Sequence, residues 1–340
     1  MSCNYSISAI RCIATLSIVF SHIAMLWKSE LYHWFNLGVP LFVLISAELF
    51  AGQDIKQPIR WLRHRCNKIL LPYYTYLFLV VIVGLFAGKS VEPWGGVFRY
   101  LTVSQGFGFS SAKFAPEHSL GHLWFITYIL FVYLLTPFLQ KIISQIHFSH
   151  LQLRLLFLGC LLLVFLATSL NRLAQSQLIH SWFIPLYVYG YFFFHTQNLS
   201  SSSRLHLTDL FSVLLLVVGR FALRLLIQNH DAVLSLRGAH FLAALCNNGY
   251  DFLLGLSLYL ALRKIFANLS PEWFSSIWNF SDRCSYSIYL THMLGILLAF
   301  HIAANLPRPI QACLAVATSI SCGWLFHICL QIVTYRKQRC

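Results

Sequence analysis

Two polar residues interrupt the first apolar run of the chain, SAIRCIATLSIVFSHIAMLW (8–27): Arg11 near its start and His22 toward its far end. Inside a membrane-length segment both are costly unless something satisfies or uses them. They lie eleven residues apart. At about 100° and 1.5 Å per residue this returns them to nearly the same helix face, roughly 16 Å apart along the axis. An imidazole titrates near neutrality and can take a proton from a hydroxyl while that oxygen attacks a carbonyl. The competing reading of His22 is a buried structural histidine. The Arg11 guanidinium offers a rigid fork of donors that suits phosphate, and near the interface it suits a lipid headgroup equally well.

Other residues with chemistry to offer follow along the chain. In GVPLFVLISAEL, Gly38, Phe42 and Ser46 recur every four residues on one helix face. This spacing reads first as packing, with Ser46 also a candidate substrate contact. Glu48 needs a partner near the end of that run, and Lys56 and Arg60 are the nearest cations in sequence. The block RWLRHRCNKILLPYY spaces Arg65 and Lys68 three apart, with Arg60 and Arg63 as a second such pair. The block serves equally as a topological signal or as a site for the phosphates of a soluble donor such as coenzyme A. His122 and Trp124 open a later run at the outer interface, where tryptophan is common for reasons unrelated to catalysis. Arg220 and Arg224 stand one turn apart and need anions or water. They could line a polar cavity for an anionic or sugar-bearing acceptor, or take Asp251 as a counter-ion. In SYSIYLTHML, His292 lies about two turns from the start of the run, close to the face of Ser285. There it could approach the phosphate-binding side of a site whose deeper part is His22, or simply be a core histidine. No metal-ligand spacing stands out.

The elements that must hold these residues are helices. Of 340 residues, 58% are hydrophobic and only 10% charged, against about 25% charged in soluble domains. The formal charge of +14 does not imply nucleic acid, because the basic residues sit in short blocks between apolar runs. The 10 cysteines include no C-x-x-C pair and read as small apolar fillers. Apolar segments fall at about 7–27, 34–51, 70–87, 121–139, 153–170, 180–195, 207–228, 239–262, 285–305 and 310–333. They predict an all-α, polytopic membrane bundle of about ten transmembrane helices in one domain spanning 1–340. Basic blocks at 52–69, 263–284 and the tail place both termini in the cytoplasm. The first run lacks the end of a cleavable signal. The loop 88–120 reads as a partial lid over an outer cavity or as a longer tether. No internal repeat of the kind found in transporters is evident.

Taken together and in order, these motifs resemble the acyltransferase 3 family of multispanning membrane acyltransferases. The marks are R-x10-H (Arg11 to His22), G-x-x-x-F-x-x-x-S (Gly38, Phe42, Ser46), the basic block with Arg65 and Lys68 ahead of LPYY, then HLWFITYILFVYLLTP and YSIYLTH. The resemblance implies ten core helices and transfer of an acyl group onto sugars of cell-envelope polysaccharides or related acceptors. It implies an acyl-coenzyme A donor from the cytoplasm, with no tightly bound cofactor, and a bacterial inner-membrane location. It casts His22 as the essential histidine and Arg11 as a donor contact. The R-x-x-R pair of many members is Arg65 and Lys68 here, which keeps the charge and loses one fork. Ile129 stands where many members have Glu, and SAE (46–48) replaces SGF. The expected reaction is acetyl transfer from acetyl-coenzyme A to a hydroxyl, in preference to an amine, of an envelope glycan or lipid-linked precursor. His22 is the expected base, His292 a second catalytic candidate on the donor side, Arg11, Arg65 and Lys68 the donor-binding set, and Ser46, Arg220 and Arg224 the acceptor contacts. Direct transfer is favoured over an acyl-enzyme, for which Ser46 and Cys12 are the available nucleophiles. Two rival readings are a transporter or flippase for an anionic glycolipid and a non-catalytic membrane scaffold.

Overall fold

Apolar runs of this length hide their backbone polar groups from lipid by closing them into helices. The computed structural model of the chain describes residues 5–86, 94–106, 120–146, 148–173, 182–196, 206–229, 237–268 and 274–339, and these are helical with short turns. In order they form α1 (Tyr5–Leu26), α2 (Leu31–Phe35), α3 (Gly38–Ala51), α4 (Pro58–Phe86) and α5 (Trp94–Leu101). A 3-10 turn at Gly121–Leu123 leads into α6 (Trp124–Gln145), then α7 (His150–Leu173) and α8 (Phe183–Thr196). The chain ends with α9 (Leu207–Asn229), α10 (Arg237–Asn268), α11 (Ser275–Ile302) and α12 (Arg308–Arg339).

Each of the ten apolar segments overlaps one of these helices. Among the described residues, however, five stretches are long and apolar enough to cross a bilayer: Tyr5–Leu26, Gly121–Gln145, His150–Asn171, Ser275–Ile302 and Arg308–Ile332. Part of the shortfall from ten is physical. Helices α3 and α8 have 14 residues each, about 21 Å, where the hydrocarbon needs about 30 Å. In α10 the apolar run is interrupted by Asn247, Asn248 and Asp251, and the side chains of α4 and α9 are described over only part of each helix. The all-α, multi-pass character stands on the apolar helices themselves.

Helix α1 ends in a left-handed turn. Lys28 has φ of 52°, and the Ser29 N–H returns to the Ala24 carbonyl at 2.9 Å. The chain then lays α2 beside the outer part of α1, where the Ser21 hydroxyl donates to the Tyr32 carbonyl at 3.2 Å. Helix α3 therefore starts partway down α1. A Cβ at Gly38 would collide with the Ala14 carbonyl oxygen and Cγ1 of Ile18, so only glycine allows this approach. The Ser46 hydroxyl donates to the Phe42 carbonyl of its own helix at 2.9 Å. The four-residue stripe of Gly38, Phe42 and Ser46 is thus in part a packing seam. The His195 ring at the end of α8 donates from Nδ1 to the Ala51 carbonyl at 3.1 Å, satisfying an open end of α3.

The core comprises buried side chains of α1, α3, α6, α8, α10 and α11. Helix α7 presents Leu151, Leu155, Leu158, Leu162, Leu166 and Leu170 outward. Such a stripe at three- and four-residue spacing is a lipid-facing surface. At Gly295 a Cβ would press on the Ser319 backbone, so α11 and α12 also pack at close range. Of the loop 88–120, residues 87–93 and 107–119 lie outside the described residues. The part between them is firmly docked: the Tyr73 hydroxyl donates to the Tyr100 carbonyl at 2.8 Å, Thr127 to the Val103 carbonyl at 2.7 Å, and Tyr128 to the Gly106 carbonyl at 2.9 Å.

Candidate active site

Helices α1 and α11 and the turn before α6 each bring one histidine to a common point. The rings of His22 and His292 are 4.8 Å apart, those of His122 and His292 4.6 Å, and those of His22 and His122 6.3 Å. His292 is fully buried and His122 is 4% exposed, while His22 is partly buried. Each ring meets one backbone carbonyl. His22 Nδ1 lies 2.9 Å from the Ile18 oxygen, His292 Nδ1 2.7 Å from the Tyr289 oxygen, and His122 Nε2 2.9 Å from the Leu290 oxygen. A carbonyl only accepts, so each of those nitrogens carries the proton. In the neutral rings the lone pairs then sit on His22 Nε2, His292 Nε2 and His122 Nδ1. The latter two are buried and have no hydrogen-bond partner among the described residues. The cluster thus offers three proton acceptors. Among the described residues, no group of three or more His, Cys, Asp or Glu is arranged to hold a metal ion.

Neighbouring groups fix these rings. The Tyr289 hydroxyl donates to the His122 carbonyl, and Ser319 on α12 donates to the His292 carbonyl at 3.1 Å. Tyr76 and Tyr289 stand beside the His122 ring at 6.2 and 5.6 Å. The docked piece of the outer loop closes over this end: Gln105 donates to the Leu123 carbonyl at 3.0 Å, one residue from His122.

Toward the other end of α1, Arg11 pairs with Asp282 of α11. The Arg11–His22 face predicted from the eleven-residue spacing is therefore the face turned to α11. Arg65 is held over the rings of Phe50 and Trp61 at 5.0 and 5.6 Å and donates to Gln53 at 3.3 Å. Its Nε is buried and has no hydrogen-bond partner among the described residues. The same two rings meet the Tyr133 ring at 5.4 and 6.0 Å. Lys68, one turn further along α4 than Arg65, is exposed. An open groove at the start of α4 is lined by Lys56, Arg60, Trp61 and His64. Glu48 pairs with neither Lys56 nor Arg60. Its carboxylate accepts from Arg263 Nε at 3.0 Å and from the Tyr259 hydroxyl at 2.6 Å, because α10 reaches that level before either chain neighbour can turn back.

Arg220 is ion-paired with Asp251 at 2.7 Å, and the Arg224 side chain lies outside the described residues. Ser46 is satisfied by its own helix.

Two placements differ from the sequence reading. Helix α11 begins at Ser275, ten residues before the apolar run, so His292 is well along the helix and beside His22 rather than near its start. Its polar opening turns, WNFSDRC, hide the true start from a hydropathy reading. His122 was read only as an interfacial residue. The signal that finds it is depth: His22 lies near the C-terminal end of α1 and His122 just before the N-terminal end of α6, so both belong to one level.

The model of an acyltransferase domain, that of the acyltransferase 3 family, matches residues 4–328. No curated protein and no solved structure matches the chain.

Proposed function

Because the chain belongs to the acyltransferase 3 family, we propose that it transfers an acyl group, acetyl from acetyl-coenzyme A in the first instance, to a hydroxyl of an envelope glycan or lipid-linked glycan precursor. The observation that carries this reading is the His22 ring. The Ile18 carbonyl holds its proton on Nδ1 and leaves the Nε2 lone pair beside His122 and His292. A base in that state takes the acceptor's O–H proton as the oxygen attacks the thioester carbonyl. The C–S bond then breaks, the new ester leaves, and the proton passes from His22 to the departing thiolate.

Arg11 and Arg65 are the groups for the donor's phosphates, with Lys68 and the groove of Lys56, Arg60, Trp61 and His64 supplying further positive charge at the same end. His292 is a second catalytic candidate within the cluster. Ser46 and Arg220 support an acceptor role less, since each already has a partner. The flippase reading drew on buried arginines, and Arg220 is neutralised by Asp251. The topology of this reading has ten crossings with both termini cytoplasmic, the short α3 being completed by α2 and its turn.

Purified protein should release coenzyme A thiol from acetyl-coenzyme A when an acceptor is present. Mass spectrometry of envelope glycans from cells with and without the protein should show an acetyl difference. Identical glycans and no thiol release would return the chain to the transporter or scaffold readings.

A further inference from the structure

The seam between α1 and α11 runs from the Arg11–Asp282 pair to the histidine cluster. Thr15, Ile18 and Val19 form one wall and Ile288, Tyr289 and His292 the other. They enclose about 140 Å³, too tight at every point for a water molecule. Nothing the width of an acyl-thioester arm passes here unless the two helices part.

The two halves of the seam are built differently. Outward of Thr15, Val19 and Ile23 pack with Ile288, Met293 and Ile296 in one apolar cluster. Inward, the tie is polar: Arg11 pairs with Asp282. The side chains of that ion pair are 20% and 31% exposed, so it sits at the mouth within reach of a solute. A guanidinium accepts a phosphate in the same forked geometry as a carboxylate. A part-exposed pair is also inexpensive to exchange.

We infer that this seam is the entry for the donor's acyl arm and that Arg11–Asp282 is its latch. A donor phosphate replaces the Asp282 carboxylate on Arg11, the inner halves of α1 and α11 separate, and the thioester reaches His22. This rests on the acyltransferase reading and adds to it a route and a competing residue that the family motifs do not include. Asp282 is a positioning residue here, acting only through Arg11.

The test is coenzyme A binding to the full-length protein in detergent, by calorimetry. Asp282→Asn should bind about three- to ten-fold more tightly than wild type, and Asp282→Glu, which keeps the pair, should match wild type. Arg11→Ala should bind more weakly, and adding Asp282→Asn to it should change nothing further. Thr15→Phe should weaken coenzyme A binding while leaving 3′-phospho-ADP, which lacks the arm, unaffected. Unchanged or weaker binding by folded Asp282→Asn overturns the latch, as does a gain that persists in the Arg11→Ala background. Equal losses for both nucleotides in Thr15→Phe overturn the route. Absence of any coenzyme A binding by wild type is a different outcome, which removes the donor reading itself.

Discussion

At each histidine, the nitrogen left bare decides what a substitution should do. Gln at position 22 keeps much of the volume and a hydrogen-bond donor for the Ile18 carbonyl, but it has no ring lone pair to take a proton. His22→Gln should leave folding and coenzyme A binding near wild type and lower turnover at least ~100-fold, the low end for loss of a general base. A structural histidine predicts the reverse: poor folding, with activity scaling with the folded fraction. His122→Gln and His292→Gln belong beside it, read as acyl transfer per folded molecule. If His22→Gln turns over normally, the base lies elsewhere and His292 is the first candidate. The Arg11–His22 face was legible in the sequence because helix geometry fixes it from spacing alone. The third histidine was not, because ring-to-ring proximity across α1, α6 and α11 is a property of packing that no single run records. The donor side carries its own expectation. Arg65→Ala combined with Lys68→Ala should weaken coenzyme A binding roughly 10–150-fold, the value of a lost charged contact of about 1.5–3 kcal/mol. Unchanged affinity in folded protein would leave the basic block a purely topological role.

Between elements, Arg263 of α10 ties three helices together. It reaches Ser6 at the start of α1 and Glu48 near the end of α3, and Tyr259 joins the same carboxylate. The paired side chains are only 14% and 13% exposed. Removing one partner strands the other charge, and such losses run to about 3–5 kcal/mol. Arg263→Met should therefore lower the thermal midpoint far more than Arg60→Met, which removes an exposed charge of the same type. Equal midpoints for the two variants would show that the network contributes no stability. Hydropathy made the existence of these helices legible, since each apolar run became one. It could not give their ends. Helix α11 starts ten residues ahead of its apolar run, through SSIWNFSDRC, because backbone hydrogen bonds do not stop where lipid does. Helix α3 is short because Gly38 lets it begin beside Ala14, a contact invisible in the run itself. The partner of Glu48 likewise came from a helix more than two hundred residues away.

Across the whole molecule, these same contacts bear on which way the chain runs. Ser6, Glu48 and Arg263 meet at one level, so the start of α1, the end of α3 and the end of α10 lie on one side of the bundle. Arg11–Asp282 brings the early part of α11 to that side as well. The basic residues after α3, from Lys56 to Lys68, with Lys264 near the end of α10 and Arg283 early in α11, therefore gather at a single face. The positive-inside rule predicts that such a face lies in the cytoplasm. The docked segment around Gln105 belongs to the opposite end, since its side chain donates to the Leu123 carbonyl beside His122. Fusions should report this directly. A fluorescent protein that matures only in the cytoplasm should light up after Lys68 and after Lys264. An alkaline phosphatase active only outside should work after Gln105. If Lys68 and Gln105 report the same side, α4 does not cross and the ten-crossing topology fails. If both signals invert, the bundle stands, but Arg11 and Arg65 face away from the cytoplasmic donor pool, and coenzyme A could no longer be the donor they serve.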